Sequence, residues 1–166
     1  MENKVYEKVL DFKKRYPMTI SWRLKAHSKL AYKLINKDEE ILYAFAAQKD
    51  PSAFNIFSTF VIVLTDKRIV LAQKRFIGYF YYSITPDMFN DLTLRMGLFW
   101  GKAIIDTVKE TVYLSNLSKG ALQETETVLS KYMIQKKREL EMGNETELKK
   151  IKQMETELLK ISKNGE

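Results

Sequence analysis

The chain has 166 residues, 45% of them hydrophobic and 30% charged, with no cysteine, one histidine and a net charge of +7. That length suits one ordinary domain with additions, and the lack of cysteine excludes disulfides, thiolate catalysis and cysteine-ligated zinc or iron–sulfur sites. The charge is uneven: residues 1–37 hold 10 Lys/Arg against 3 Asp/Glu, residues 38–116 hold 8 against 9 and residues 117–166 hold 10 against 9, so an electrostatic partner is expected on the N-terminal segment.

No apolar stretch has the length of a signal peptide or a membrane span, and the longest, Phe60–Leu64, is strand-sized. A reducing, cytoplasmic location is the expectation. In chain order, Val5, Val9, Phe12 and Tyr16 make a narrow apolar stripe on a first helix that ends before Pro17. Ser21 reads as the cap of a second helix to about Asn36. It has Ile20, Leu24, Leu30, Ala31, Leu34 and Ile35 on one side and Lys25, Lys29 and Lys33 on the other.

From Asp38 the period shortens to that of strands. The pattern gives strands at Glu40–Gln48, Phe57–Thr65, Arg68–Lys74, Tyr79–Ile84, Met88–Met96, Lys102–Thr107 and Thr111–Ser115, with Thr65-Asp66-Lys67 as a tight turn. In the aromatic run Phe76, Tyr79, Phe80, Tyr81 and Tyr82, alternate residues must face outward; if Tyr79 and Tyr81 point in, Phe80 and Tyr82 need cover. Ser118 can cap a closing helix whose Leu122, Thr125, Leu129, Tyr132 and Met133 lie on one face. Gly143-Asn144 reads as its C-terminal cap. A last helix, Glu145–Ser162, then carries Leu148, Ile151, Met154, Leu158 and Ile161, supported by Glu145 and Lys149 at i,i+4.

The segments EEILYAFAAQ, FVIVLTDKRIVLAQ, ITPDMFNDLTLRMGLFWGKAII and KETVYLSNL, followed by a helix, resemble the bacterial pleckstrin-homology (PH)-like domains, in particular the YokE-like group. The resemblance covers about residues 36–134, and the TDKRI turn after a very apolar strand is its most recognisable piece. It implies an α+β fold: a seven-stranded antiparallel, partly open barrel capped by a C-terminal helix. The chain then divides into an N-terminal helical extension (1–37), a PH-like barrel (38–134) and a C-terminal helical extension (135–166). Relatives that bind phosphoinositides carry basic residues at the end of strand one and within strand two. Lys49 matches the first loosely, but FSTFVIVLT has none, so inositol-phosphate binding does not carry over.

No residue set suggests catalysis. His27, the single histidine, lies on the apolar side of the second helix and reads as a packed residue; the glycines form no phosphate loop, and the carboxylates are scattered. No catalytic, cofactor or metal residue is expected. The leading functional reading is a non-enzymatic binding or scaffolding module acting on an unknown protein or on itself, homo-oligomerisation included. The second is peripheral attachment to an anionic membrane, with Trp22 among Lys25, Lys29 and Lys33 as an interfacial helix. Phe99 and Trp100, at a hairpin tip that is normally polar, complete the expected binding surface unless the tip folds back. Nucleic acid is disfavoured, since the barrel aromatics are not interleaved with basic residues.

Overall fold

A computed structural model of the protein describes residues 3–49 and 56–163. The elements are α1 (Lys4–Arg15), α2 (Leu24–Leu34), β1 (Ile41–Gln48), β2 (Thr59–Thr65), β3 (Ile69–Lys74), β4 (Tyr79–Ile84), β5 (Phe89–Met96), β6 (Trp100–Thr107), β7 (Thr111–Ser118) and α3 (Lys119–Lys163). The strands are antiparallel in the order β4-β3-β2-β1-β7-β6-β5. β1 and β7 pair at Gln48 and Ser115, beside Asn116, whose backbone is left-handed and whose amide donates to Gln48 Oε1. This narrow joint lets the sheet curl into a half-barrel, with α3 inside its curve. The fold is therefore α+β and PH-like.

Strands β1 to β3 are buried on both faces, and their side chains are sorted by size. Phe45, Phe60, Ile62, Leu64, Ile69 and Leu71 point inward to Ala121, Leu122, Leu129, Tyr132 and Met133 of α3. Ala44, Ala46, Val61, Val63, Val70 and Ala72 point outward to Val5 and Val9 of α1 and Ala31 of α2. Small outward residues let the two helices approach the sheet closely, while the large inward ones fill the half-barrel. Phe12 of α1 belongs to the inner cluster, so α1 joins the two cores.

Two polar knots fix the helices. Glu124 of α3 accepts hydrogen bonds from Arg15 and Tyr16 at the end of α1 and from Tyr43 of β1. Glu39 is buried and receives Arg68 Nη2 at 2.8 Å and the Thr65 hydroxyl at 2.8 Å. Arg68 also donates to the Leu34 carbonyl at the end of α2, at 3.1 Å, and Asp66 accepts the Glu40 N–H at 2.8 Å. The TDKRI turn is thus a structural fastening.

Four details depart from the sequence pattern. Ser21 does not cap α2; Arg23 holds that position in a left-handed conformation without a side-chain cap bond. In β4, Phe80 and Tyr82 pack on the core while Tyr79 and Tyr81 are exposed, so the sheet itself gives the cover that the opposite phase needs. Trp100 opens β6, two residues earlier than expected. Finally, Gly143-Asn144 does not end α3, which runs unbroken to Lys163. Gly143 is not among the glycines with positive φ, and the Glu- and Lys-rich segments on both sides favour helix strongly enough to carry one glycine, at about 1 kcal/mol. Leu148, Ile151 and Met154 are exposed on this extension; the side chains of Leu158 and Ile161 lie outside the described residues.

Glycine matters at two positions, one in a turn and one in a strand. Gly78, between β3 and β4, has φ +74, which disfavours a side chain. Gly101 in β6 would place a Cβ 2.6 Å from Leu122 Cδ2 and 2.7 Å from the Arg95 carbonyl oxygen, so its bareness lets α3 seat against the sheet.

Candidate binding cleft

At the ends of β1 and β3 and the start of α2 lies an open cleft of about 710 Å³, within the usual size range of small-ligand sites. Its geometry begins with Arg23. The left-handed backbone there, φ 51 and ψ 35, turns the chain between Trp22 and α2, a conformation that costs about 1 kcal/mol or more. Trp22 then stacks edge-on against Phe57 with ring centroids 5.0 Å apart and tilts over Phe76 at 6.3 Å. The Arg23 guanidinium lies 4.9 Å from the Phe76 centroid and 5.4 Å from that of Trp22.

The opposite wall comes from the strands. Lys49, just past β1, sets its ammonium 3.9 Å from the Phe80 ring, and Arg75 lies 5.8 Å from the same ring. Lys74 ends β3. Arg23, Lys49, Lys74 and Arg75 therefore line one cleft; among the described residues no carboxylate lines it, and none of the four forms an ion pair with Asp or Glu. The β3–β4 tip adds exposed apolar side chains, Phe76 and Ile77, the latter 94% exposed.

His27 forms part of the floor. Its Nδ1 accepts the Lys74 backbone N–H at 2.9 Å. Burial, then the nearby Arg23 charge, lower its pKa to about 4, against a weaker opposing hydrogen bond with the Trp22 backbone. The imidazole is neutral at physiological pH and serves as a strut between α2 and β3. Gln73, also buried, donates to the carbonyls of Phe57 at 2.7 Å and Thr59 at 2.9 Å, which holds the Phe57 wall. Such a cleft suits an anion carrying, or embedded in, apolar material: cations over aromatic faces supply charge and flat contact, and the tip supplies hydrophobic area.

The expected surface residues separate. Trp22 stands in the cleft, away from the lysine row with which the sequence groups it. Lys25, Lys29 and Lys33 lie exposed on α2 and do not line the cleft. Phe99 and Trp100 sit at the β5–β6 turn, where Trp100 Nε1 donates to the Met18 carbonyl at 2.8 Å, while Leu98 is 88% exposed and Phe99 is exposed beside it. Half of that tip folds back and half does not. The residues that sequence reasoning passed over are Arg23, Lys74, Arg75 and Ile77. A signal for them existed: Lys74-Arg75-Phe76-Ile77-Gly78 is a basic, then apolar, hairpin tip, the same anomaly that marks Leu98-Phe99.

Among the described residues, no group of three or more His, Cys, Asp or Glu side chains is arranged to hold a metal, and no helix is long and apolar enough to cross a membrane. Residues 35–131 match the family described as bacterial PH domain. No curated protein matches the chain. Among solved structures, a DUF1696 family protein with a pleckstrin-homology domain from Shewanella loihica is similar, with a TM-score of 0.42 and 13% identity over 63% of this chain and 84% of that one. The family match includes Lys49, Lys74 and Arg75 but leaves out Trp22, Arg23 and His27, so one wall of the cleft comes from outside the matched segment.

Proposed function

The chain belongs to the bacterial PH domain family, whose members are generally non-catalytic binding modules, and we propose that it docks on anionic membrane surfaces through the Trp22–Arg23–Lys74–Arg75 cleft. One observation carries this reading: four cations converge on an aromatic-lined cleft in which, among the described residues, no carboxylate stands, next to the exposed apolar tip Phe76-Ile77. Basic side chains gain about 1 kcal/mol each near an anionic surface, and an apolar tip beside them enters the acyl boundary as an interfacial helix would. This moves the membrane-facing surface from the exposed row of Lys25, Lys29 and Lys33 to the cleft. The strand-two departure noted above favours recognition of surface charge over one particular inositol phosphate. Co-sedimentation with vesicles of phosphatidylglycerol and phosphatidylcholine tests it: the protein binds the mixed vesicles at low salt and leaves pure phosphatidylcholine in solution. Equal recovery from both removes the reading.

A second reading, association with another polypeptide, is favoured by a different feature. Beyond Met133, α3 leaves the half-barrel with Leu140, Leu148, Ile151 and Met154 exposed, an apolar content that a solvated helix does not need.

A further inference from the structure

We infer that one open edge of the sheet pairs with itself, separately from the cleft and from α3: β5 adds antiparallel to β5 of a second copy, about a two-fold axis through Thr93. β4 and β5 end the sheet, each bonded to one neighbouring strand. Gly97 donates its N–H to the Trp100 carbonyl at 2.9 Å, and the β5–β6 register runs evenly from Met96–Gly101 back to Asp91–Asp106. Alternation along that ladder turns the N–H and C=O of Leu92 and Leu94 away from β6, toward the open edge. Such a row of backbone groups is a template for another strand.

The charges select the occupant and its direction. On the outer face, Asp91 stands directly across from Asp106, and Arg95 from Lys102; like charges in facing positions destabilise a sheet. Asp91 and Arg95 are exposed, and among the described residues neither forms an ion pair. An antiparallel copy centred on Thr93 sets Asp91 against Arg95, so the acidic pair Asp91–Asp106 meets the basic pair Arg95–Lys102. A parallel copy in register sets like on like. The antiparallel register also brings Leu92 opposite Leu94, both packed against the core on the inner face, and these residues exchange backbone hydrogen bonds. It carries each exposed Leu98-Phe99 tip to the Phe89 end of the other β5. Each contact occurs twice, as a two-fold interface requires. The other edge, β4, holds no charged residue to fix a register.

The charge pattern makes the test specific. Sedimentation equilibrium of the full chain across a concentration series is expected to show a monomer–dimer equilibrium that shifts toward monomer with salt. Asp91→Arg and Arg95→Asp each set like charges across the axis and are expected to weaken dimerisation about tenfold or more. Mixed together, the two variant chains complement each other and are expected to dimerise again, which a folding defect would not allow. Thr93→Cys, in a chain without other cysteines, is expected to cross-link to itself on mild oxidation. A wild-type monomer at every concentration overturns the proposal. A dimer that persists in both single variants is held elsewhere, as by α3, and also overturns it. A mixture that stays monomeric, or a Thr93→Cys chain that does not cross-link, overturns the antiparallel register.

Discussion

The Nδ1 of His27 accepts the backbone N–H of Lys74 at 2.9 Å, fastening α2 to the last residue of β3 and setting the floor of the cleft between two of its cations. The bond requires a neutral imidazole. The folded pKa is lowered to about 4 by burial, then by the Arg23 charge, from an ordinary 6.5. Between those values the unfolded chain takes up a proton that the folded chain refuses, so the stability contributed by His27 falls as pH drops from about 6.5 toward 4 and is fully present above. Chemical-denaturation midpoints measured from pH 7.5 to 4.5 should fall with acidity. His27→Gln, whose side-chain carbonyl can accept the same N–H, should flatten that slope. A wild-type midpoint that does not move above pH 4.5 contradicts this role.

Glu124 gathers the second set of contacts. Its burial alone would raise its pKa, but hydrogen bonds from Arg15, Tyr16 and Tyr43 outweigh that and hold it at about 2. Its contribution is therefore complete above pH 4.5 and is lost as pH falls toward 2. Glu124→Gln keeps the shape, loses the charge, and should cost about 2 to 3 kcal/mol in urea unfolding. Because two of the three donors end α1, amide exchange in residues 4–15 should accelerate more than in β2 or β3. Uniform acceleration would mean that Glu124 does not act as a latch for α1.

Gly143 separates the sequence pattern from the structure most sharply. A glycine ending a helix in a left-handed cap is damaged by alanine, whereas a glycine inside a helix is improved by it, by about 1 kcal/mol. A Cβ at Gly143 meets nothing within 4 Å. Gly143→Ala should therefore raise helicity by circular dichroism and slow amide exchange from Asn144 to Met154. A loss of helicity would restore the cap.

The strands were readable because burial imposes period two, and β1 to β3 show it even without polar residues. The alternation in Ala44-Phe45-Ala46 and Phe60-Val61-Ile62-Val63-Leu64 is between large and small, one face for the half-barrel and one for the N-terminal helices. The helix α1 was equally plain from Val5, Val9 and Phe12. The cleft was hidden for a physical reason: Arg23 lies in the most basic segment, but Lys49, Lys74 and Arg75 lie in a segment whose net charge is close to zero. Net charge along a sequence averages over residues that the fold separates, such as the knotted Glu39 and Asp66, and misses those that it gathers. The placement of Trp22 among lysines failed similarly, because the left-handed turn at Arg23 takes the indole off the helix before α2 begins.

The most direct measurement compares two charge-reversed proteins on phosphatidylglycerol-containing vesicles at low salt: Lys74→Glu/Arg75→Glu in the cleft, and Lys25→Glu/Lys29→Glu on the exposed row of α2. Both change the net charge equally, so nonspecific attraction predicts equal losses. Docking through the cleft predicts that the first pair lowers the partition coefficient by about 30-fold or more, that Ile77→Asp lowers it further, and that the second pair lowers it only slightly. Equal losses from the two pairs, or a larger loss from the α2 pair, would contradict the cleft as the membrane-facing surface.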